Sequence, residues 1–143
     1  MKDLKLADFP LQAYDKLRYA DTDRQGHVNN AVFSTFLETG RVEFIYHEEF
    51  PTLSDGASFV IASLELKFMK EIIWPGKVEI GTGLLSMGRS SIKLFQRLFQ
   101  NEQCVGEAET VIVQVKDGKG LALSDASRSV LAKWILPQDI VAE

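Results

Sequence analysis

The sequence predicts an α+β fold in which an antiparallel sheet curls around one buried helix. Three observations carry this prediction. Apolar residues recur at spacings of three and four mainly between about Asn30 and Glu48, the mark of a long helix. From Ser58 onward the period changes to two. The alternating segments are separated mostly by short turn signals, so strands follow one another directly instead of alternating with helices.

The elements follow in order. Between Asp15 and Ala20, Leu17 and Tyr19 alternate with Lys16 and Arg18, as in a short half-buried strand. A polar loop, Asp21 to Asn29, leads into the helix, where Phe33, Phe36, Leu37, Gly40 and Phe44 share one face. Val32, Val42 and Ile45 lie off that stripe, so the helix is apolar around much of its circumference and is expected to be wrapped by the rest of the fold. Glu38 and Arg41, three apart, are placed to pair on its surface, and His47 falls near its C-terminal end, where an imidazole suits the negative end of the dipole.

The second strand carries Val60, Ala62, Leu64, Leu66 and Phe68 and is broken by Pro75-Gly76. Val78, Ile80, Thr82 and Leu84 mark the third. Gly88-Arg89-Ser90-Ser91 reads as a turn into Ile92 to Phe99, and Asn101-Glu102 as the next hairpin turn. A final strand from Cys104 to Val115 sets Val111, Val113 and Val115 on one face, and Asp117-Gly118-Lys119-Gly120 ends it. From Asp125 to Trp134 the pattern is helical again, with Val130, Leu131 and Trp134 together.

With 143 residues, 45% of them apolar, one domain spanning residues 1–143 is expected. The formal charge of −4, with both signs interspersed, offers no broad basic surface for nucleic acid. Cys104 is the single cysteine, so an internal disulfide or a cysteine-rich metal site is excluded and an intracellular setting is expected. Lying in an alternating run, Cys104 reads as a small buried residue and not as a nucleophile. Met1 to Pro10 contains Lys2, Asp3, Lys5 and Asp8 without an apolar signal core, and no run is long enough to span a bilayer. A soluble cytoplasmic protein with no membrane span is expected.

Chemistry concentrates in Asp21-Thr22-Asp23-Arg24-Gln25-Gly26-His27-Val28-Asn29-Asn30, just before the helix. Asn29 or Asn30 can cap the helix, Gly26 can take a positive φ, and either aspartate can accept backbone hydrogen bonds in a turn. Capping needs one polar side chain, however, and this segment holds two aspartates, a histidine and two asparagines. A helix N-terminus presents unpaired N–H groups and partial positive charge, so it can polarise a carbonyl and hold an oxyanion. A carboxylate just upstream can act on the same carbonyl carbon. Hydrolysis of an activated acyl group needs little more, because a thiolate leaves without a strong acid. The residues alone do not choose between Asp21 and Asp23.

The string Tyr19-Ala20-Asp21-Thr22-Asp23 through Gly26-His27-Val28-Asn29-Asn30, followed by Phe33, Glu38 and Arg41, resembles the hot-dog acyl-coenzyme A thioesterases of the 4-hydroxybenzoyl-coenzyme A thioesterase type, in the branch with a Gly-His-Val-Asn-Asn loop. The resemblance implies a hot-dog fold, a five-stranded antiparallel sheet wrapped around a long central helix. It implies hydrolysis of an acyl-CoA thioester to free acid and CoA, with Asp23 the catalytic carboxylate, Asp21 structural, and the Asn30 backbone N–H the oxyanion donor. Whether Asp23 attacks directly or activates water stays open at this point. Gly26, His27 and Asn29 are expected to border the substrate, His27 chiefly as a loop residue. No Ser-His-Asp set and no Gly-x-Ser-x-Gly elbow is present.

CoA carries several phosphates, so cations are expected near the pocket mouth. Arg89, Ser90 and Ser91 are the candidates for that contact, with Lys67, Lys70 or Lys93 as further cations. The spacing of Asp21, Asp23 and His27 fits no metal motif, and no metal or diffusible cofactor is expected. Two other readings remain: hydrolysis of acyl groups carried on acyl carrier protein, and a non-catalytic acyl-thioester-binding module. A five-stranded sheet leaves an edge exposed, and the resembling family joins two sheets edge to edge. A homodimer is therefore expected, with two dimers able to form a homotetramer.

Overall fold

The computed structural model describes residues 3–137 and Asp139. Chain order is β1 (Leu11–Lys16), α1 (Asn30–Ile45), β2 (Ser58–Phe68), β3 (Lys77–Met87), β4 (Ser91–Gln100), β5 (Gln103–Lys116), β6 (Lys119–Gly120) and α2 (Asp125–Ala132). Single 3-10 turns occupy Leu6–Asp8 and Tyr19–Asp21. The strands form one sheet in the order β1-β3-β4-β5-β2, with β6 added to β5. Every pairing is antiparallel. The register slips between Ile61 and Ser63, between Leu84 and Ser86, and between Leu98 and Phe99. Such irregularities sharpen the local twist and help the sheet to curl.

Helix α1 lies in that curl. Its buried residues are Phe33, Phe36, Leu37, Gly40, Arg41, Phe44 and Ile45. Gly40 lets the helix come close, since a Cβ there would stand 2.6 Å from Ile80 Cγ2 and 2.8 Å from Gln96 Nε2. Gln96 Nε2 reaches across to the Leu37 carbonyl at 3.0 Å and to Thr82 Oγ1 at 3.0 Å, fastening helix to sheet through a buried amide. Phe33, Leu37 and Ile80 belong to one core cluster, and Phe44, Leu84, Ile112, Leu131 and Trp134 to a second beneath α2. On the outer face of the sheet, Leu4, Phe9 and Leu136 cover Phe95 and Phe99.

Four expectations are corrected. The first strand is Leu11–Lys16 and not Asp15 to Ala20: Leu17 continues its inward alternation, but Tyr19 sits in a 3-10 turn and is exposed. Helix α1 stops at Ile45, three residues before Glu48. The sheet has six strands and not five, although Asp117 and Gly118 do end β5. With φ of 52° and 77° they make a tight hairpin into β6, a sixth strand. Helix α1 also keeps an open side, because Val42 is exposed and Glu38 faces solvent while Arg41 is buried. Instead of being satisfied by a surface pair, Arg41 has an Nη1 without a partner among the described residues, and burial pushes its guanidinium below its usual pKa.

The two sheet edges differ. Helix α1 packs along β1, whereas β2 is exposed over nearly its whole length, with Val60, Ile61, Leu64 and Phe68 in solvent.

Candidate active site

The loop before α1 is built by its own polar groups. Asp21 is buried, and its carboxylate accepts from the Arg18 backbone N–H and the Arg18 guanidinium, both at 2.9 Å. Its carbonyl accepts from the Asn29 N–H at 2.8 Å, which ties the loop's two ends together. Asp23 is exposed. Its Oδ1 accepts from the N–H groups of Gln25 at 2.8 Å and His27 at 3.2 Å, and its own N–H donates to the His27 carbonyl at 2.7 Å. Both side-chain bonds fall on Oδ1, so Oδ2 is the oxygen left for chemistry. Gly26 closes this turn at φ 81°, the left-handed region that disfavours a Cβ even though space is open around it.

Asn29 caps the helix. Its side chain accepts from the Ala31 N–H at 3.0 Å, and its carbonyl from the Val32 N–H at 2.9 Å. Those bonds satisfy the second and third amides of the first turn. The Asn30 N–H is the amide at which helix geometry supplies no intrahelical acceptor. The loop is then docked on the β2–β3 connection: Val28 N–H donates to the Ile72 carbonyl at 2.8 Å, and His27 bridges to Ile73.

Asp23, His27 and Asn30 line one open cleft of about 420 Å³, together with Gln25, Phe33, Phe68, Met69, Lys70 and Glu71. A carboxylate and a helix N-terminus thus share a space with an apolar wall. Phe33 and Phe68 meet edge to face, with ring centroids 5.0 Å apart. Across the cleft, His27 Nε2 lies 3.1 Å from Glu71 Oε2. If Nε2 donates there, Nδ1 is the nitrogen available to a ligand.

The expected site residues therefore divide. Asp23, His27 and Asn30 are brought together, and Lys70 is the cation that joins them. Gly26 and Asn29 shape the turn and the cap and do not line the cleft. Arg89, Ser90 and Ser91 lie elsewhere in the chain, at the start of β4. Gln114 and Leu123 amides hold the Ser90 and Arg89 carbonyls at 2.7 and 2.8 Å, and Arg128 donates to the Gly88 and Arg89 carbonyls. The cleft sits by the other end of β4, where Gln100 clamps Ile73. Ten residues of strand separate the two ends by roughly 30 Å. Glu71 and Phe68 were not legible in the loop motif, because they come from a segment some forty residues downstream.

An antiparallel sheet curled on a helix, with a carboxylate-bearing loop feeding the helix N-terminus, is the hot-dog architecture. The chain belongs to the thioesterase-like superfamily, whose profile matches residues 17–135. It is 27% identical over 139 residues to the acyl-CoA thioester hydrolase YbgC of Escherichia coli, covering 94% of this chain and 92% of that protein. Among solved structures it resembles a Thermus thermophilus thioesterase complexed with coenzyme A and zinc, with a TM-score of 0.77, 26% identity, and coverage of 86% and 98% of the two chains. A Pseudomonas aeruginosa protein superposes with a TM-score of 0.82 at 21% identity, covering 92% and 96%, and shares the fold. Among the described residues no helix is long and apolar enough to cross a membrane.

Proposed function

We propose that the protein hydrolyses acyl-CoA thioesters to free acid and CoA, as a member of the Gly-His-Val-Asn-Asn branch of the 4-hydroxybenzoyl-CoA thioesterase type. The observation that carries this reading is the single cleft that holds the Asp23 carboxylate, the first residue of α1 and an apolar wall of Phe33 and Phe68. The thioester carbonyl oxygen points at the Asn30 N–H, the acyl group lies against the phenylalanines, and Asp23 Oδ2 faces the carbonyl carbon. As the tetrahedral centre forms, negative charge develops on the oxygen held by Asn30, where a fixed N–H and the helix dipole stabilise it most. The thiolate of CoA then leaves.

Two routes share this geometry. Asp23 either adds to the carbonyl, giving a mixed anhydride that water opens, or takes a proton from the attacking water. Single-turnover hydrolysis in 18O-water separates them, since only the anhydride route can leave label in the Asp23 side chain. The reading itself is tested by thiol release over a panel of acyl-CoA esters. Absence of turnover on every ester, with ester binding retained, favours the non-catalytic module.

The working unit is a homodimer formed through β2. That edge is long, apolar and unpaired among the described residues, and native proteins seldom leave such an edge free. Isologous antiparallel pairing of two β2 edges sets the Phe68 end of one copy beside the Ser58 end of the other. Val60 and Ser91 both pair with Val113, so the β3–β4 turn of the second copy comes toward the first copy's cleft. Arg89, Ser90 and Ser91 then reach substrate from the second copy. Sedimentation as a dimer or tetramer is the expected result, whereas a monomer with full specific activity on dilution defeats the shared site.

A further inference from the structure

Arg41 is a buried cation for which the chain supplies no anion. The side chain is 5% exposed, its Nη1 is sealed from solvent without an acceptor, and among the described residues no ion pair reaches the guanidinium. A guanidinium does not give up its proton, and a buried charge without a partner is costly. Its place in the molecule indicates where the missing carboxylate comes from.

Two rulers that start at one contact locate it. Phe33 meets Phe68 with ring centroids 5.0 Å apart, and at the other end Phe59 packs against the cluster that holds Phe44, so α1 and β2 run antiparallel. Eight helical residues from Phe33 to Arg41 span about 12 Å. Four strand residues from Phe68 to Leu64 span about 13 Å. Arg41 is therefore level with Leu64, at the middle of β2. That level is also poorly covered. Ile61 and Leu64 are exposed although they stand opposite the buried Ile112 and Thr110 on the inner face of the sheet, and Val42 is exposed on the helix beside Arg41. The open side is thus an apolar trough with a buried cation on its wall.

We propose that the trough is closed by the same trough of a second copy, and that Glu38 of the second copy supplies the acceptor Arg41 lacks, with the reciprocal pair forming at the same time. This inference rests on the homodimer through β2. When β2 pairs isologously with its own copy, the two-fold axis passes near the middle of the strand, so groups level with Leu64 meet their counterparts. Two guanidiniums alone would repel there. Glu38, three residues before Arg41 and exposed, sets a carboxylate between them. Two other acids point elsewhere: Glu43 lines a cavity on the β1 side with Leu11 and His47, and Glu65 shares the outer face of the sheet with Phe95. A second copy brings the complement by symmetry, whereas an unrelated apolar partner would bury Arg41 without one. The pair acts chiefly on specificity: it closes only when two chains of this sequence meet in this register.

The experiment reads dimer dissociation by analytical ultracentrifugation for Glu38→Arg, for Arg41→Glu and for a one-to-one mixture of the two. Each variant alone sets like charges face to face and is expected to raise the dissociation constant about a hundredfold. In the mixture every contact across the interface again joins an acid to a base. A heterodimer is expected there, with a dissociation constant within about tenfold of the wild type. A pair confined to one chain cannot respond in this way, because mixing leaves each chain's own charges as they were. Failure of the mixture to associate more tightly than either variant overturns the proposal, as does wild-type dimerisation by each variant alone. Where circular dichroism shows that a reversed charge prevents folding, Glu38→Gln, Arg41→Met and their double variant take its place. Each single change is then expected to weaken the dimer by roughly tenfold and the double change by no more than either, and additive losses overturn the pair. A wild-type chain that stays monomeric removes the homodimer itself, and thioester turnover in the same samples reports separately on the hydrolase reading.

Discussion

Asp21 and Asp23 stand two residues apart in the same loop, and the chain uses them in opposite ways. Around Asp21 the structure closes: the carboxylate is 3% exposed, bonded twice to Arg18, and its carbonyl fixes the Asn29 cap. Around Asp23 the structure opens: one carboxylate oxygen is engaged by the turn and the side chain faces the cleft. The difference teaches that the role of a carboxylate is set by which backbone donors reach it. Burial and full pairing make a brace of one, and partial pairing beside a helix N-terminus leaves one oxygen of the other free to face the cleft.

The sharpest way to break the comparison is to remove one charge at a time. Asp23→Asn keeps an oxygen for the Gln25 and His27 amides, so the loop should hold while thioester turnover falls on the order of a hundredfold or more. Turnover near wild type would show that Asp23 is not the reacting group. Asp21→Asn should act on stability first: losing a charged acceptor in a buried setting costs roughly 1–3 kcal/mol, read as a lower midpoint in urea with an unchanged slope. If Asp21→Asn instead abolishes turnover without lowering stability, the two roles are reversed.

A smaller effect tests the far wall of the cleft. The His27–Glu71 contact is largely exposed on the Glu71 side, so Glu71→Gln should lower kcat/KM by no more than about fivefold. Restoration by Glu71→Asp would identify the carboxylate's charge, not its length, as the useful property. The smallest expected effect is none: treatment with a chelator should leave turnover unchanged, because among the described residues no three metal-ligating side chains cluster. Loss on chelation and recovery with a divalent ion would mean that the two aspartates act jointly after all.

The sequence reported some of this directly. The helical period put the start of α1 at about Asn30 with Asn29 or Asn30 as its cap, and the period-two runs located β4 and β5 to within a residue, because both signals are local, whereas β3 runs three residues past the expected Leu84. The first strand was displaced because Leu17 prolongs the alternation of Leu11, Ala13 and Asp15 past the point where pairing to β3 ends at Lys16. The two-residue β6 carries too little pattern to be seen. In the cleft, Asp23 and Asn30 were legible because one loop holds both. Phe68 and Glu71 were not assigned to it, and Lys70 was only one of three further cations offered, since only the docking of Val28 and His27 on Ile72 and Ile73 brings that segment alongside.

Gly40 makes the middle of α1 a pivot. Where a side chain would collide with Ile80, the helix rests directly on the sheet. Asn30 lies ten residues away, about 15 Å along the axis. Over that arm a tilt of a few degrees carries the Asn30 amide through about 1 Å, a displacement that can cost a catalytic group about a hundredfold in rate. The alignment of the proposed oxyanion donor, the Asn30 amide, with Asp23 is thus governed from the core, by a position outside the loop and the cleft.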